Sequence, residues 1–353
     1  SLILMIKYYT RACNFYFGKN SIEKVKKNLA IPLHGNKLIS FDTIEILSRK
    51  TKKKINIKKI NNFNSKLKKK VLFDINNIKK KKKFFKLNFS NIPVLMGILN
   101  LTPDSFSDGG KYNKKKAGLI QARKLFHDGC KILDIGGEST RPGSNDINPI
   151  KEWERIAPIL FQIKKMKKII SLDTRKSLVM KNGIKNKVNI INDVSGFQYD
   201  QNTIKVLRET NTPFVIHHMQ GNPKTMQKKP KYKNVILDIY DFFEHKIKYV
   251  RSKGIKHNNI ILDPGIGFGK NLKHNITLLR NISIFHSLGF PVMLGTSRKR
   301  FIKDLSGVND SKERLGGTIS SSLFAMMHGV QILRVHDVNE VKQSIKVFNS
   351  LNF

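Results

Sequence analysis

The chain has very few of the residues that stabilise small secreted proteins or mark membrane proteins. Its 353 residues include two cysteines, Cys13 and Cys130, whose separation fits neither a disulfide framework nor a metal-binding motif. We therefore expect a cytoplasmic location, where thiols stay reduced. No stretch approaches the roughly 18 uncharged apolar residues that a membrane-spanning helix requires, so we expect no membrane partner.

Acidic residues are scarce as well. The chain has 25 Asp and Glu against 67 Lys and Arg, which gives a formal net charge of +42. Such an excess would ordinarily indicate a nucleic-acid or anionic-membrane partner. Here lysine, asparagine and isoleucine are abundant throughout the chain, as an AT-rich genome would produce at solvated positions. A solvated basic surface is therefore our interpretation, and we do not expect nucleic acid to be a partner.

The distribution of lysine divides the chain into three parts. Residues 50–90 are dominated by lysine, and blocks of like charge repel one another and bury little surface, so we expect a Lys-rich linker there. Residues 1–49 carry aromatic and aliphatic side chains and form a small N-terminal extension to which we assign no chemistry. Residues 91–353 remain as the main domain.

The main domain alternates strand and helix patterns without a break. Short apolar runs predict strands buried on both faces at residues 94–100, 131–135, 169–173, 188–192, 213–218, 259–263, 291–295 and 331–334. A helical pattern follows each run, at residues 117–128, 149–167, 177–182, 201–209, 235–253, 275–288, 312–328 and 338–349. Eight β-α units in series favour an α/β fold of the (β/α)8 TIM-barrel type over an open doubly wound sheet, which normally has fewer strands.

Polar loops follow the predicted strands of this barrel. The active site of the fold lies at the carboxyl ends of the strands, so a ring of polar side chains there indicates a ligand. The segments are MGILNLTPDSFSDGG at 96–110, DIGGESTRPG at 134–143, SLDT at 171–174, IND at 191–193, LDPG at 262–265, GTSRK at 295–299 and RVHD at 334–337. In this order and spacing they resemble the dihydropteroate synthase family, pterin-binding enzymes of the folate pathway, from about residue 92 to the C-terminus.

Three of these polar side chains suit a pterin ring. Asp173, Asn192 and Asp263 follow different strands, and a pterin presents amino and ring N–H donors beside a carbonyl acceptor. For either residue alone a structural role would be favoured, Asp173 as a helix cap and Asn192 as a turn residue, but the set favours ring binding. The resemblance implies the same role for all three, and adds Lys299 on the carbonyl side. After the fifth strand we expect Met219 to pack against the ring face.

A second group of residues suits a diphosphate. Arg334 and His336 lie two residues apart, and therefore on the same side of a strand. Arginine binds phosphate through paired hydrogen bonds and histidine can donate to it. His336 alone would favour a structural role, whereas the pair favours an anion clamp. With Asn100, whose side-chain oxygen is a hard metal ligand, the resemblance implies a diphosphate site with Mg²⁺ as cofactor, bridging to the phosphate oxygens.

Two loops, at residues 102–110 and 140–145, are rich in Gly, Pro, Ser and Asp, a composition typical of segments that move. In the family such loops close over the substrate and form the p-aminobenzoate pocket. The resemblance implies p-aminobenzoate contacts for Phe106, Thr140, Arg141, Pro142, Phe268 and Ser297. It also implies catalytic roles for Lys299, for Asp104, which would stabilise a cationic pterin, and for Arg141, which would favour the leaving group or the closed loop.

The expected reaction joins (7,8-dihydropterin-6-yl)methyl diphosphate to p-aminobenzoate and needs no protein nucleophile. The family resemblance also implies a homodimer. A pterin-binding methyltransferase shares the ring-binding residues, but it would not need Asn100, Arg334 and His336 as a diphosphate site. A degenerate barrel kept as a binding protein is disfavoured by the intact site residues. A nucleic-acid binder acting through residues 50–83 is disfavoured because that segment has too few aromatic residues to stack bases.

Overall fold

The computed structural model describes residues 6–103, 111–141, 143–222 and 224–353. Its N-terminal module, residues 6–79, is a small antiparallel sheet with two helices. The elements are β1 (Tyr9–Phe17), α1 (Gly18–Lys26), β2 (Ile31–Leu33), β3 (Asn36–Leu47), β4 (Lys52–Asn56) and α2 (Ser65–Lys79). Strand β3 is central: β1 pairs along one edge, and β2 and β4 pair with the two ends of the other edge.

The lysine-rich segment is folded, so its interpretation as a linker was wrong. Strand β4 adds to the sheet, and α2 buries Val71, Ile75 and Ile78 in the same core as the strands. The buried apolar residues of α2 recur every three or four positions, and Lys66 and Lys69 lie exposed in the turns before them. Like charges therefore share the solvated face of an amphipathic helix without preventing its other face from packing. The division of the chain at residue 91 stays a prediction.

The rest of the described chain forms the predicted (β/α)8 barrel. Its parallel strands are β5 (Val94–Asn100), β6 (Ile132–Gly136), β7 (Ile169–Asp173), β8 (Ile190–Asp193), β9 (Phe214–His217), β10 (Ile260–Asp263), β11 (Met293–Leu294) and β12 (Ile332–Val335). They follow the order β10-β9-β8-β7-β6-β5-β12-β11, and a bridge between Leu262 and Val292 brings β11 beside β10. All eight lie within two residues of the sequence prediction.

Helices surround the barrel and cover its outer face. They are α3 (Lys111–Asp128), α4 (Pro149–Ile163), α5 (Ser177–Lys185), α6 (Thr203–Thr210), α7 (Val235–Ser252), α8 (Leu272–Arg280), α9 (Arg300–Ser306), α10 (Leu315–Met327) and α11 (Val338–Asn352). The predicted helix at 275–288 is split, because α8 ends at Arg280 and a 3-10 helix follows at Ile282–Leu288. The short α9 was not predicted. Within the described ranges, no helix is long and apolar enough to cross a membrane.

The barrel interior is apolar toward the amino ends of the strands. Met96, Ile132, Val215 and Ile332 belong to one buried cluster there, and Phe84 packs into it from the chain segment that precedes β5. Because alternate residues of a strand point to the same side, the next inward positions lie nearer the carboxyl ends. One end of the barrel is therefore filled, and chemistry is left to the other end.

The N-terminal module packs against the barrel through charged and apolar contacts. The Tyr9 hydroxyl donates to Asp241 on α7 at 2.8 Å, and the Tyr9 ring packs edge-on against Tyr240, with 5.1 Å between centroids. Arg49 forms ion pairs with Asp238 and Asp241. The module thus uses a group of acidic residues on α7 in a chain that has few of them.

Candidate active site

Polar side chains point toward the barrel axis at the carboxyl ends of the strands. Strand alternation from the apolar interior positions, such as Met96, Ile132 and Ile332, fixes which residues face inward. The inward polar positions include Asn100, Asp134, Ser171, Asp173, Asn192, His217, Asp263, Arg334 and His336. The structure therefore brings the ring-binding and diphosphate residues predicted on these strands to one end of the barrel.

Arg334 lies at the centre of this group and bonds to two carboxylates. Its Nε donates to Asp134 at 2.7 Å, and its Nη2 donates to Asp173 at 3.0 Å. The Nδ2 of Asn192 donates to the same Asp134 oxygen at 3.1 Å. Burial raises the pKa of Asp173, although the charge of Arg334 lowers it. Two of the predicted ring residues, Asp173 and Asn192, and the predicted phosphate arginine are thus parts of one hydrogen-bonded cluster.

Sequence reasoning missed Asp134 as a site residue. In the polar segment 134–143 the loop residues carry the predicted chemistry, and Asp134 lies within the predicted strand before them. The available signal was the register: Asp134 lies two residues after the inward Ile132 on β6, so alternation turns its carboxylate toward the axis. A buried carboxylate at that position needs a partner, and Arg334 supplies it.

Lys299 and Asp263 form the opposite wall. The Lys299 Nζ donates to the carbonyl oxygen of Ile266 and lies 4.9 Å from the centroid of the Phe268 ring. Burial lowers the pKa of Lys299 to about 8, although the charge of Asp263 raises it. Asp263 accepts from the backbone N–H of Gly265 at 2.8 Å, which fixes its carboxylate at the start of the loop.

Met219 and Thr140 lie beside these walls. Met219 is buried two residues after the end of β9, and Thr140 is half-buried in the loop after β6.

Ser297 and His336 meet at the ends of two neighbouring strands. The Ser297 hydroxyl lies 2.8 Å from His336 Nδ1 and accepts from the backbone N–H of His336 at 3.1 Å. Burial, helped by Arg298 and Arg334, lowers the pKa of His336 to about 3. Until an anion binds beside it, His336 is therefore favoured as a neutral ring, which can donate one hydrogen bond.

A polar cavity of about 440 Å³ lies between the loops that follow β5 and β6. Arg141 and Arg155 contribute the positive charge of its lining, and the remaining lining residues are Thr102, Pro103, Ser139, Gly143, Ser144, Asn145 and Ile147. Arg155 also donates to the carbonyl oxygen of Gly137 at 2.8 Å, which ties α4 to the base of the loop. The predicted site residues Asp104, Phe106 and Pro142 lie outside the described residues.

A buried network of charged side chains anchors the loop that follows β6. Sequence reasoning missed this network. The Lys176 Nζ lies 2.7 Å from Glu138 and 2.8 Å from Glu152, and all three side chains are nearly inaccessible to solvent. Arg175 adds a second bond to Glu138 at 3.0 Å. Because Glu138 begins the loop and Lys176 follows β7, the network fixes the loop to the neighbouring strand end.

The described residues offer little to a metal ion by themselves. Within the described ranges, no group of three or more His, Cys, Asp or Glu side chains is placed to hold one. Asn100, half-buried at the end of β5, offers one amide oxygen. Mg²⁺ takes oxygen ligands and usually keeps waters and substrate phosphates in its shell. The donor set therefore fits a metal that is held mainly by a diphosphate and touches the protein at Asn100.

Comparison with known proteins identifies the family. Residues 96–336 match the family model described as Pterin binding enzyme. The dihydropteroate synthase of Neisseria meningitidis serogroup B is 41% identical over 265 residues, which cover 73% of this chain and 93% of the relative.

Two solved structures agree with this match. One is the Clostridium difficile dihydropteroate synthase with pteroic acid (TM-score 0.70, 37% identity, 75% of this chain and 98% of that chain). The other is the Xanthomonas albilineans enzyme with 4-aminobenzoic acid (TM-score 0.71, 33% identity, 75% of this chain and 94% of that chain). The chain therefore belongs to the dihydropteroate synthase family of pterin-binding enzymes.

Proposed function

We propose that the chain joins (7,8-dihydropterin-6-yl)methyl diphosphate to p-aminobenzoate, giving 7,8-dihydropteroate and diphosphate in folate biosynthesis. The observation that carries this proposal is the inward cluster in which Arg334 bonds Asp134 and Asp173 while Asn192 bonds Asp134. It combines acceptors for a pterin's N–H groups with a cation at the carboxyl end of the barrel, where this fold performs its chemistry.

The ring is held by acceptors on one side and a donor on the other. In this proposal Asp173, Asn192 and Asp263 accept from the amino and ring N–H groups, and Lys299 donates to the carbonyl side. Met219 packs against the ring face. The carboxylates also favour positive charge on the ring, and such charge develops when the bond between the pterin methylene and the diphosphate oxygen breaks.

The diphosphate is held by donors near the end of β12. His336 donates through Nε2, and Arg334 through the nitrogens that its carboxylates leave free. Because Arg334 already bonds to Asp134 and Asp173, it serves the ring site as well as the anion. Asn100 would hold Mg²⁺, which when bound would neutralise charge on the departing diphosphate.

The electron pair of the broken bond between the methylene carbon and oxygen leaves with diphosphate. The arylamine nitrogen then attacks the methylene carbon and loses a proton. We assign the p-aminobenzoate side to Phe106, Thr140, Arg141, Pro142, Phe268 and Ser297. Asp104 would stabilise the cationic pterin, and Arg141 the leaving group or the closed loop. The X. albilineans synthase with 4-aminobenzoic acid supports this substrate.

We also propose that the chain works as a homodimer in the cytoplasm. The family resemblance supports the dimer, and two buried free thiols, Cys13 and Cys130, suit a reducing compartment. Light scattering of the purified protein tests the oligomeric state, with twice the 40.5 kDa chain mass expected.

The direct test of the reaction is turnover. The purified full chain is incubated with the pterin diphosphate and p-aminobenzoate, and both products are measured with Mg²⁺ and after chelation. We expect dihydropteroate and diphosphate in equal amounts, no dihydropteroate without p-aminobenzoate, and slower turnover after chelation. No dihydropteroate at saturating substrate and Mg²⁺ would overturn the proposed function.

A further inference from the structure

Asp134 lies deeper in the barrel than the other acidic side chains of the site. In the strand register it pairs with Ser171, two residues before Asp173 on β7. Its side chain has no solvent exposure, whereas that of Asp173 is 5% exposed and that of Arg334 is 19% exposed. A carboxylate at this depth lies behind the groups that face the pocket.

The contacts of Asp134 run to two residues that face the pocket. One of its oxygens accepts from Arg334 Nε at 2.7 Å and from Asn192 Nδ2 at 3.1 Å. These residues come from β12 and β8, on different sides of the barrel. Asp134 therefore connects two walls of the site through a single oxygen atom.

This connection decides which way the Asn192 amide points. An ionised carboxylate only accepts hydrogen bonds, so the amide atom that faces Asp134 must be the nitrogen. The amide oxygen then points elsewhere, and Asn192 Oδ1 is buried without a protein partner among the described residues. That oxygen is an acceptor available to a ligand N–H, and a flipped amide would offer a donor in its place.

The same bond sets the orientation of Arg334. The guanidinium is planar, so fixing its Nε edge to Asp134 and its Nη2 to Asp173 fixes the whole plane. The Nη1 group, which bonds no described residue, is then held in one direction. Arginine in this site is thus oriented before any substrate arrives.

We propose that Asp134 is a positioning residue of the pterin site. It turns the Asn192 amide oxygen toward the ring and holds the guanidinium of Arg334 by its Nε edge. The inference rests on the proposed function, because it takes the ligand in this pocket to be a pterin.

The test is a double-mutant cycle on the full chain. The variants are Asp134→Asn, Asn192→Ala and the double variant, and the probe is 6-hydroxymethylpterin, titrated by calorimetry. Asp193→Asn is the matched control: Asp193 is buried beside Asn192, but it bonds Ser195 at 2.6 Å. Thermal melting of each variant accompanies the titrations.

We expect Asp134→Asn to weaken binding roughly tenfold, and by a clearly smaller factor in the Asn192→Ala background, because the residue that it positions is then gone. Asp193→Asn should bind within about twofold of wild type, since the hydrogen bonds of Asp193 go to Ser195 and not to Asn192 or Arg334. The positioning role would be overturned if Asp134→Asn reduced pterin affinity by the same factor in the wild-type and Asn192→Ala backgrounds, or if it did not reduce affinity at all. Absence of binding by the wild-type chain would instead count against the proposed function.

Asn192→Asp provides a second route if Asp134→Asn does not fold. It keeps an acceptor toward the ring but loses the bond to Asp134 and faces another carboxylate. We expect it to bind the pterin at least as weakly as Asn192→Ala. Affinity close to wild type would mean that the bond to Asp134 does not matter, and would overturn the inference.

Discussion

The hydroxyl of Ser297 contacts both the backbone and the ring of His336. Its oxygen accepts from the backbone N–H of His336 at 3.1 Å and lies 2.8 Å from His336 Nδ1. When the hydroxyl donates to Nδ1, the ring proton of a neutral imidazole is on Nε2, where it can donate to an anion. Ser297, predicted from the family resemblance as a p-aminobenzoate contact, therefore also prepares a proposed diphosphate ligand.

Ser297→Ala should impair diphosphate handling and spare the ring. Without the hydroxyl, His336 can place its proton on either nitrogen, and a hydrogen bond worth about 1 kcal/mol is lost. We expect KM for the pterin diphosphate to rise several-fold, while the affinity for 6-hydroxymethylpterin stays unchanged. Steady-state kinetics and calorimetry measure the two. If Ser297→Ala weakened the binding of 6-hydroxymethylpterin by the same factor as it raised KM for the pterin diphosphate, the assignment of His336 to the diphosphate would be contradicted.

The affinity for the pterin ring should fall at alkaline pH because of Lys299. Burial lowers its pKa to about 8, so it is charged below that pH and neutral above it. If the charged amine donates to the ring carbonyl, affinity is highest below pH 8 and declines as pH rises through it. Lys299→Arg, whose guanidinium stays charged, should remove the decline. The same alkaline decline in this variant would show that another group titrates.

The buried network behind the second loop should matter for stability. Lys176→Met leaves the buried Glu152 without its cation, while Glu138 keeps its bond to Arg175; removing one partner of a buried ion pair typically costs about 3–5 kcal/mol. Lys181→Met, at an exposed position of α5, the helix that follows Lys176, is the matched control and should change stability by less than about 0.5 kcal/mol. Urea unfolding followed by circular dichroism measures both. Equal stability of the two variants would show that the network is not stabilising.

Phe84 should be needed to close the amino end of the barrel. Its side chain is fully buried in the interior cluster, whereas that of the neighbouring Phe85 is 37% exposed. Phe84→Ala should cost about 3–5 kcal/mol because it leaves a cavity, and Phe85→Ala should cost less than about 1 kcal/mol. Denaturant unfolding compares the pair. If Phe85→Ala destabilised the protein more than Phe84→Ala, the segment before β5 would not close the amino end of the barrel.

The sequence predicts the barrel well because its signals are local. Apolar runs of four to seven residues ending in polar loops recur at β5 through β12, and strand alternation then gives the direction of each polar side chain. Asp173, Asn192 and Asp263 could be chosen this way because each lies at the end of a strand or one residue before it. The same alternation, applied to Ile132, would also have found Asp134.

The contacts that the sequence does not predict are those between distant segments. Lys176 bonds Glu138 and Glu152, and Arg334 bonds Asp134, which lies 200 residues earlier in the chain. No local pattern reports such pairs. The linker interpretation of residues 50–90 failed for a related reason. The lysine content of the segment does not show that Val71, Ile75 and Ile78 are spaced three or four residues apart and so share one face of a helix.

The central claim is that the inward carboxylates form a pterin pocket, and calorimetric titration of 6-hydroxymethylpterin tests it most directly. Asp173→Ala and Asp263→Ala should each lose about 1–3 kcal/mol of binding free energy, because ring N–H groups are left without an acceptor in a buried site. Asp310→Ala, at an exposed loop, should bind as wild type does. Unchanged affinity in both pocket variants would contradict the account.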